Sequence, residues 1–204
     1  MNGLLLHPLF KPAVGLLALG PFIWLAYAAV TDPGLYLGAN PAETLIRQTG
    51  EMTLRVLSAT LAITPLRHWT GWHALARLSR MLGLCAFFYG VVHFLCFAWL
   101  DMGLDLQAIL TDIVKRPFIL VGTAALLLML PLAATSFNRA IKALGARRWQ
   151  LLHRAVYAVA GLALLHFFWM RAGKNDFADV AVYGAVIAVL LGWRMWRKWR
   201  PITS

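Results

Sequence analysis

The sequence predicts an all-α integral membrane bundle of six transmembrane helices, forming one domain over residues 1–204. Three observations predict this fold. Of the 204 residues, 61% are hydrophobic and only 13% are charged, which is about half the charged fraction of soluble proteins. Several apolar runs reach the roughly 20 residues needed to cross the hydrocarbon core of a bilayer. Basic and acidic residues also segregate into alternate loops, as membrane topology requires.

The sequence does not support all six predicted spans equally well. In chain order they cover residues 12–30, 44–64, 81–100, 118–136, 149–170 and 178–196. In the first, Ala26-Tyr27-Ala28 resembles a signal-peptidase site, but cleavage there would leave five spans, so we expect the first span to be retained. The second is the weakest, because charged residues mark its first half, and we expect Pro65 to end it. The fourth opens at Pro117, where a missing N–H costs little.

Four charged residues of the second span recur every fourth position, so they share one helix face in alternating sign. They are Glu43, Arg47, Glu51 and Arg55. One interpretation is a solvated ladder of ion pairs at the end of the span. The other is a wet surface that lines a cavity or receives a partner.

The charges predict that both termini lie inside, because basic residues accumulate in cytoplasmic loops. With the N-terminus inside, thirteen basic residues fall on the inner side, and six basic and all eight acidic residues fall outside. The inner set is Lys11, Arg67, Arg77, Arg80, Arg139, Lys142, Arg147, Arg148, Arg154, Arg194, Arg197, Lys198 and Arg200. Attraction to anionic lipid head groups accounts for this charge, so we predict no nucleic-acid binding.

Three histidines lie within or at the end of apolar runs, where an ionisable side chain is costly and therefore suggests function. His93 lies thirteen residues past Arg80 and His166 thirteen past His153, each about 20 Å along a helix axis. His93 and His166 therefore share a depth in the outer half of two different spans. Neutral imidazole is a common axial ligand of haem iron, so this pair predicts bis-histidine ligation of one haem. We expect Gly90, Gly161 and Ala163 to let a porphyrin approach the backbone.

His153 lies near the inner surface and raises the question of a second haem. The matching level of the third span holds Ser79 and Arg80 rather than a histidine. Thirteen residues turn an α-helix about 140° short of four full turns, so His153 and His166 face different sides unless the helix is overwound or bent near Gly161. His153 remains a candidate iron ligand.

Four basic residues near the inner surface are candidate partners for haem propionates or a flavin phosphate. They are Arg77, Arg80, Arg147 and Arg148. Ordinary positive-inside charge explains them equally well.

The absence of two sequence motifs limits how the protein could hold a haem and from where it could receive electrons. The sequence has no C-x-x-C-H, so a haem would be held non-covalently, as b-type. It also has no G-x-G-x-x-G after a strand, so electrons must come from membrane quinol or a separate flavin reductase. A rival interpretation is a transporter that passes a metal or protons along its histidines. Another is a quinone-linked cytochrome b that serves some other acceptor.

Four segments carry a resemblance to a known family. They read ATLAITPLR, RMLGLCAFFYGVVHF, RPFILVGTAALLLMLPLAATS and RRWQLLHRAVYAVAGLALLHFFW. Together they resemble the haem-binding membrane subunits of the bacterial periplasmic methionine sulfoxide reductase system, the MsrQ (YedZ) family of the ferric reductase-like transmembrane group.

The resemblance implies a single haem-binding domain in the bacterial inner membrane, with one or two b haems and a possible FMN. It implies electrons drawn from quinones or a cytosolic flavin reductase and passed to a periplasmic molybdopterin-containing reductase. That partner repairs oxidised methionine in envelope proteins. Carried over residue by residue, the family's histidines fall on His93, His153 and His166.

Overall fold

The computed structural model describes residues 2–173 and 175–199. All the regular structure in these ranges is helical, which confirms the predicted all-α class. Two residues of the charge count, Lys174 and Arg200, lie outside the described residues.

The described residues form eleven α-helices. In order they are α1 (Asn2–Leu6), α2 (Phe10–Thr31), α3 (Pro33–Leu37), α4 (Pro41–Thr70), α5 (Ala76–Cys96), α6 (Leu106–Lys115), α7 (Pro117–Ala134), α8 (Asn138–Leu144), α9 (Ala146–His153), α10 (Val156–Ala172) and α11 (Ala178–Trp199). A 3₁₀ turn, His73–Leu75, leads into α5, and a π-helical turn, Phe97–Asp101, extends it.

Five helical segments of the described chain are long and apolar enough to cross a membrane. They are Phe10–Thr31, His73–Asp101, Pro117–Ala134, Ala146–Ala172 and Ala178–Arg197. The remaining long helix, α4, has 30 residues, which is length enough, but its charged first half sets it apart. Five of the six predicted spans therefore coincide with membrane-length apolar helices.

α4 does not end at Pro65, contrary to the sequence expectation. It continues to Thr70 and ends at Gly71, whose backbone has a φ of +70° and donates to the Arg67 carbonyl. A proline inside a helix leaves the carbonyl four residues earlier without its usual donor, and here that carbonyl belongs to Leu61. Arg194 of α11 donates to it at 2.7 Å. A side chain from a neighbouring helix thus replaces the missing bond and lets α4 pass through Pro65.

A side chain also bridges a gap in α2, next to Pro21. The Tyr89 hydroxyl donates to the Ala18 carbonyl at 2.9 Å and accepts from the Phe22 amide at 3.1 Å. It therefore lies between the two groups that an unbroken helix would join directly. Tyr89 is fully buried, and this insertion fixes α2 against α5.

Four helices, α4, α5, α7 and α10, form the centre of the bundle, and α2 and α11 pack on their outside. The best-buried side chains come from the central helices, among them Leu57, Leu61 and Val159. Large apolar side chains such as Leu17, Leu127 and Val189 are more than half exposed. An apolar exterior around a packed core is what a lipid environment permits.

Aromatic side chains cluster at both ends of the bundle. Trp24, Tyr27 and Tyr36 have ring centres 5.5–6.0 Å apart near the start of α4. At the opposite end, Trp69 and Trp193 lie 5.7 Å apart. Trp and Tyr are enriched at both membrane–water interfaces, so these clusters mark the two ends of the membrane-embedded length.

Candidate functional site

His93 and His166 meet in a cavity of about 460 Å³ enclosed by the four central helices. We call it the paired-histidine cavity. His93 comes from α5 and His166 from α10, and their ring centres are 6.1 Å apart at an interplanar angle of 74°. The structure thus brings together the two histidines that the charge topology assigned to one depth.

Each of these histidines is fixed by one hydrogen bond to the backbone of a neighbouring helix. His93 Nδ1 donates to the Ile46 carbonyl of α4 at 2.8 Å, and His166 Nδ1 donates to the Phe118 carbonyl of α7 at 2.6 Å. A carbonyl only accepts, so both rings carry their proton on Nδ1 and leave the Nε2 lone pair available. Metal-binding histidines are typically oriented in this way.

The dimensions of the cavity fit a metal centre between the two rings. A metal–imidazole bond is about 2.0 Å long, so two imidazoles on opposite sides of one metal have ring centres about 6 Å apart. The observed 6.1 Å agrees with this distance. The cavity volume also lies within the usual range for bound cofactors, about 300–1,000 Å³.

Two glycines that the sequence analysis missed lie against the histidine rings. A Cβ atom at Gly122 would come within 2.7 Å of His166 Nδ1, and one at Gly50 within 3.0 Å of His93 Cε1. Of the small residues that were expected here, Gly90 and Ala163 line the cavity. Gly161 is not among the residues that line it.

A charged rim surrounds one end of this cavity. Glu43, Arg47 and Glu51 of α4 line it, and Glu51 also pairs with Arg55 at 3.1 Å. Both interpretations of the charged α4 face therefore hold in part: it lines a cavity, and it pairs within itself.

Arg171 of α10 is the most deeply buried charge of this rim, with 6% of its surface exposed. Its guanidinium lies 2.8 Å from Asp176, 3.4 Å from Asp179 and 3.8 Å from Glu51. It also covers the Phe167 ring at 5.5 Å. This network ties α10, α4 and the start of α11 together five residues beyond His166.

A second cavity, of about 530 Å³, lies among the same helices toward their other end. Four arginines and His153 line it, and we call it the arginine cavity. The arginines are Arg67, Arg80, Arg154 and Arg194, and none of the described residues along its wall is acidic. The buried Nε atoms of Arg67 and Arg194 have no hydrogen-bond partner among the described residues. Such a wall favours an anionic group.

Only one of the four arginines predicted near this level lies in the wall of the arginine cavity. Arg80 lines it and donates to the Asn138 side chain at 2.7 Å. Arg77 instead donates to the Leu6 carbonyl at 3.3 Å, and the cavity wall includes neither Arg147 nor Arg148.

His153 is held differently from the other two histidines. Its Nε2 is 3.0 Å from the Thr135 hydroxyl, and that hydroxyl donates its own proton to the Pro131 carbonyl at 2.7 Å. His153 Nε2 is therefore engaged in a hydrogen bond with a side-chain hydroxyl. The Trp149 ring stacks on the imidazole, with ring centres 4.0 Å apart.

The helix that carries His153 and His166 is interrupted between them. α9 ends at His153 and α10 begins at Val156. The Ala155 and Tyr157 amides bond to the carbonyls three residues earlier, Leu152 and Arg154, which overwinds this turn. His153 and His166 could share a face only if the helix were overwound or bent between them, and the distortion occurs here rather than at Gly161.

The two cavities adjoin. Leu57 of α4, Met129 of α7 and Val159 of α10 line both of them. Leu57 and Val159 are 2% and 1% exposed. A layer one side chain thick therefore separates the two chambers.

Comparison with known proteins places the chain in a family. Residues 49–164 match the family described as ferric reductase like transmembrane component. This match covers most of the four central helices and ends two residues before His166. No solved protein structure matches the chain significantly.

Curated relatives match over nearly the whole chain, and each is named protein-methionine-sulfoxide reductase heme-binding subunit MsrQ. The protein from Polaromonas naphthalenivorans is 61% identical, over 96% of this chain and 88% of the relative. The one from Ralstonia nicotianae is 55% identical, over 92% and 85%. The one from Herminiimonas arsenicoxydans is 50% identical, over 94% and 87%. The chain therefore belongs to the ferric reductase-like transmembrane family and, within it, to the MsrQ family.

Proposed function

We propose that this protein is a transmembrane electron carrier whose paired-histidine cavity holds a b-type haem. His93 and His166 would hold its iron through Nε2. The observation that carries the proposal is the shared geometry of the pair, in which each Nδ1 is tethered to a carbonyl and the ring centres are 6.1 Å apart. The relatives' printed name, heme-binding subunit, supports the same cofactor.

The haem supplies one-electron chemistry when bound, and the chain supplies its environment. The two carbonyl tethers hold the imidazoles in the tautomer that binds iron. Arg47 lines the cavity and would offer a cationic partner to a haem propionate at its edge.

A second cofactor with an acidic group occupies the arginine cavity in this proposal. The candidates are a second haem ligated by His153, with Arg80 and its neighbours at the propionates, and FMN, with its phosphate among the arginines. The hydrogen bond between His153 Nε2 and the Thr135 hydroxyl favours the flavin, because an iron ligand needs the lone pair of that nitrogen free. A cofactor in the arginine cavity would lie next to the proposed haem, because the two cavities share a wall.

The proposed topology has six spans, including α4, with both termini in the cytoplasm of a bacterium and the bundle in the inner membrane. The arginines at one end and the acidic residues at the other support this orientation. Electrons then enter at the arginine end, from quinol or a cytosolic flavin reductase. They leave at the acidic end for a periplasmic molybdopterin-containing methionine sulfoxide reductase.

An absorption spectrum of the purified protein tests the proposal most directly. We expect a Soret band with the sharp α and β bands of a bis-histidine b haem, and extraction into pyridine counts haem per chain. One haem with one extracted FMN per chain supports the flavin in the arginine cavity, and two haems support His153 as a ligand. A folded, colourless protein from haem-sufficient cells would refute the carrier and favour a metal or proton transporter.

Two further measurements test the proposed topology, on which the direction of electron flow depends, and the proposed electron acceptor. Reporter fusions at both termini should be active only as cytoplasmic reporters. Deleting the partner reductase should abolish repair of periplasmic methionine sulfoxide that depends on this chain. Repair that persists without the partner would favour a cytochrome that serves another acceptor.

A further inference from the structure

The two haem-ligand candidates share a feature beyond their depth. Each histidine reaches across to a different helix and bonds to a backbone carbonyl that already takes part in that helix. The Ile46 carbonyl lies four residues before Gly50, and the Phe118 carbonyl lies four residues before Gly122. These are the i and i+4 positions that an α-helix joins by its own hydrogen bond.

The geometry of an α-helix explains why a glycine stands at each i+4 position. Every Cα–Cβ bond tilts toward the helix N-terminus, so a side chain covers the turn before its own Cα. A Cβ at Gly50 or Gly122 would therefore lie over the carbonyl that the imidazole uses. The contacts agree: a Cβ at Gly122 would lie 2.7 Å from Nδ1 of His166, and one at Gly50 would lie 3.1 Å from Nδ1 of His93.

We propose that Gly50 and Gly122 are positioning residues, which uncover the Ile46 and Phe118 carbonyls so that His93 and His166 can be locked as Nδ1–H tautomers with Nε2 free. The inference rests on the proposed haem ligation and adds what sets the ligands' orientation. The same device occurs twice, on α4 for the α5 histidine and on α7 for the α10 histidine. These are the two most extensively packed helix pairs of the bundle.

The carbonyl bond also affects the electronic character of the ligand. An imidazole that donates from Nδ1 to an acceptor is a more basic ligand through Nε2, which favours the ferric state of an attached iron. Losing that bond should therefore weaken haem binding and raise the midpoint potential. Partners of metal-bound histidines typically change metal affinity about 10–100-fold.

The test compares four single variants, each adding one methyl group. Gly50→Ala and Gly122→Ala should lose haem at least about tenfold faster than the unsubstituted protein. Any haem that remains should show a more positive midpoint potential and a shifted low-spin EPR signal. The matched controls are Gly161→Ala, on the same helix as His166 but facing open space, and Gly184→Ala, on α11 with its nearest contact at 3.8 Å. Neither glycine lines either cavity. Both should keep the original spectrum, potential and EPR signal.

The outcomes separate this inference from the function on which it rests. If the unsubstituted protein contains no haem, the proposed function fails first. If haem is present and all four variants behave alike, the glycines have no positioning role. Alanine favours helix over glycine by about 1 kcal/mol, so we expect the apoproteins to accumulate in the membrane with normal helical circular dichroism. Variants at Gly50 and Gly122 that fail to accumulate would also count against the proposal.

Discussion

The paired-histidine cavity and the arginine cavity are enclosed by the same helices but use histidine in opposite ways. In the first, Nδ1 of each histidine is tethered to a backbone carbonyl, and we propose that Nε2 binds the haem iron. In the second, Nε2 of His153 is tied to the Thr135 hydroxyl, and the charge on the wall comes from arginine. The hydrogen-bond partner of an embedded histidine, as much as its depth, therefore indicates which ring nitrogen is available for chemistry.

Removing a ligand should distinguish the two cavities most strongly. We expect His93→Ala or His166→Ala to abolish the bis-histidine spectrum, because a single remaining imidazole cannot complete the axial pair. His153→Ala should leave that spectrum in place. The measurement is the absorption and EPR spectrum of each purified variant.

His73→Ala provides the control, since His73 lies in the 3₁₀ turn before α5 and outside both cavity walls. If His93→Ala and His166→Ala both kept a full low-spin signal, the assignment of the ligands would be wrong.

The charge on the wall of the arginine cavity should give the next largest effect. Arg67→Gln should weaken retention of the second cofactor about tenfold, the loss expected when one charge-assisted hydrogen bond is removed. The haem between His93 and His166 should be unaffected. Cofactor content after gel filtration measures both.

Arg77→Gln is the matched control, because Arg77 bonds to the Leu6 carbonyl and does not line the arginine cavity. Equal losses in the two variants would mean that general positive charge, rather than the cavity wall, retains the cofactor.

The smallest effect should come from the acidic end of the bundle, where we expect the partner reductase to dock. Removing the charges of Asp101 and Asp105 as asparagines should slow electron transfer to the partner a few-fold at low salt, and less at high salt. Asparagine is chosen because Asp105 caps α6 by accepting from the Gln107 and Ala108 amides, and asparagine preserves such a cap. Stopped-flow oxidation of the reduced protein by its partner measures the rate.

Haem content should not change in Asp105→Asn alone, which is the cleaner variant because Asp101 also lines the paired-histidine cavity. An unaltered rate at all salt concentrations would remove these carboxylates from the docking surface.

The sequence predicted the depth of a side chain along its helix better than the direction in which that side chain points. Charge topology and helical rise brought His93 and His166 to one level, and the structure brings their rings together. It could not identify Gly50 and Gly122, because helix rotation decides which carbonyl a ring meets. For the same reason it named Arg77, Arg147 and Arg148 as candidate partners of an acidic cofactor group, whereas three of the arginines in the wall of the second cavity are Arg67, Arg154 and Arg194.

Prediction of a helix end from nearby residues also failed where a side chain far away in the sequence supplies a hydrogen bond. Pro65 alone predicts the end of a helix, but Arg194, more than a hundred positions away, supplies the missing donor to Leu61. The helix break at residues 154–155 contains no proline or glycine, so the sequence gives no local signal for it.

The layer formed by Leu57, Met129 and Val159 has a consequence for the energetics of the membrane. Electrons can cross a thin layer of packed side chains, but a proton needs a continuous chain of water or hydrogen-bonding groups. These three apolar side chains offer no such chain where the two polar chambers adjoin. If the bundle carries electrons as proposed, this layer would let them cross the bilayer without opening a path for protons.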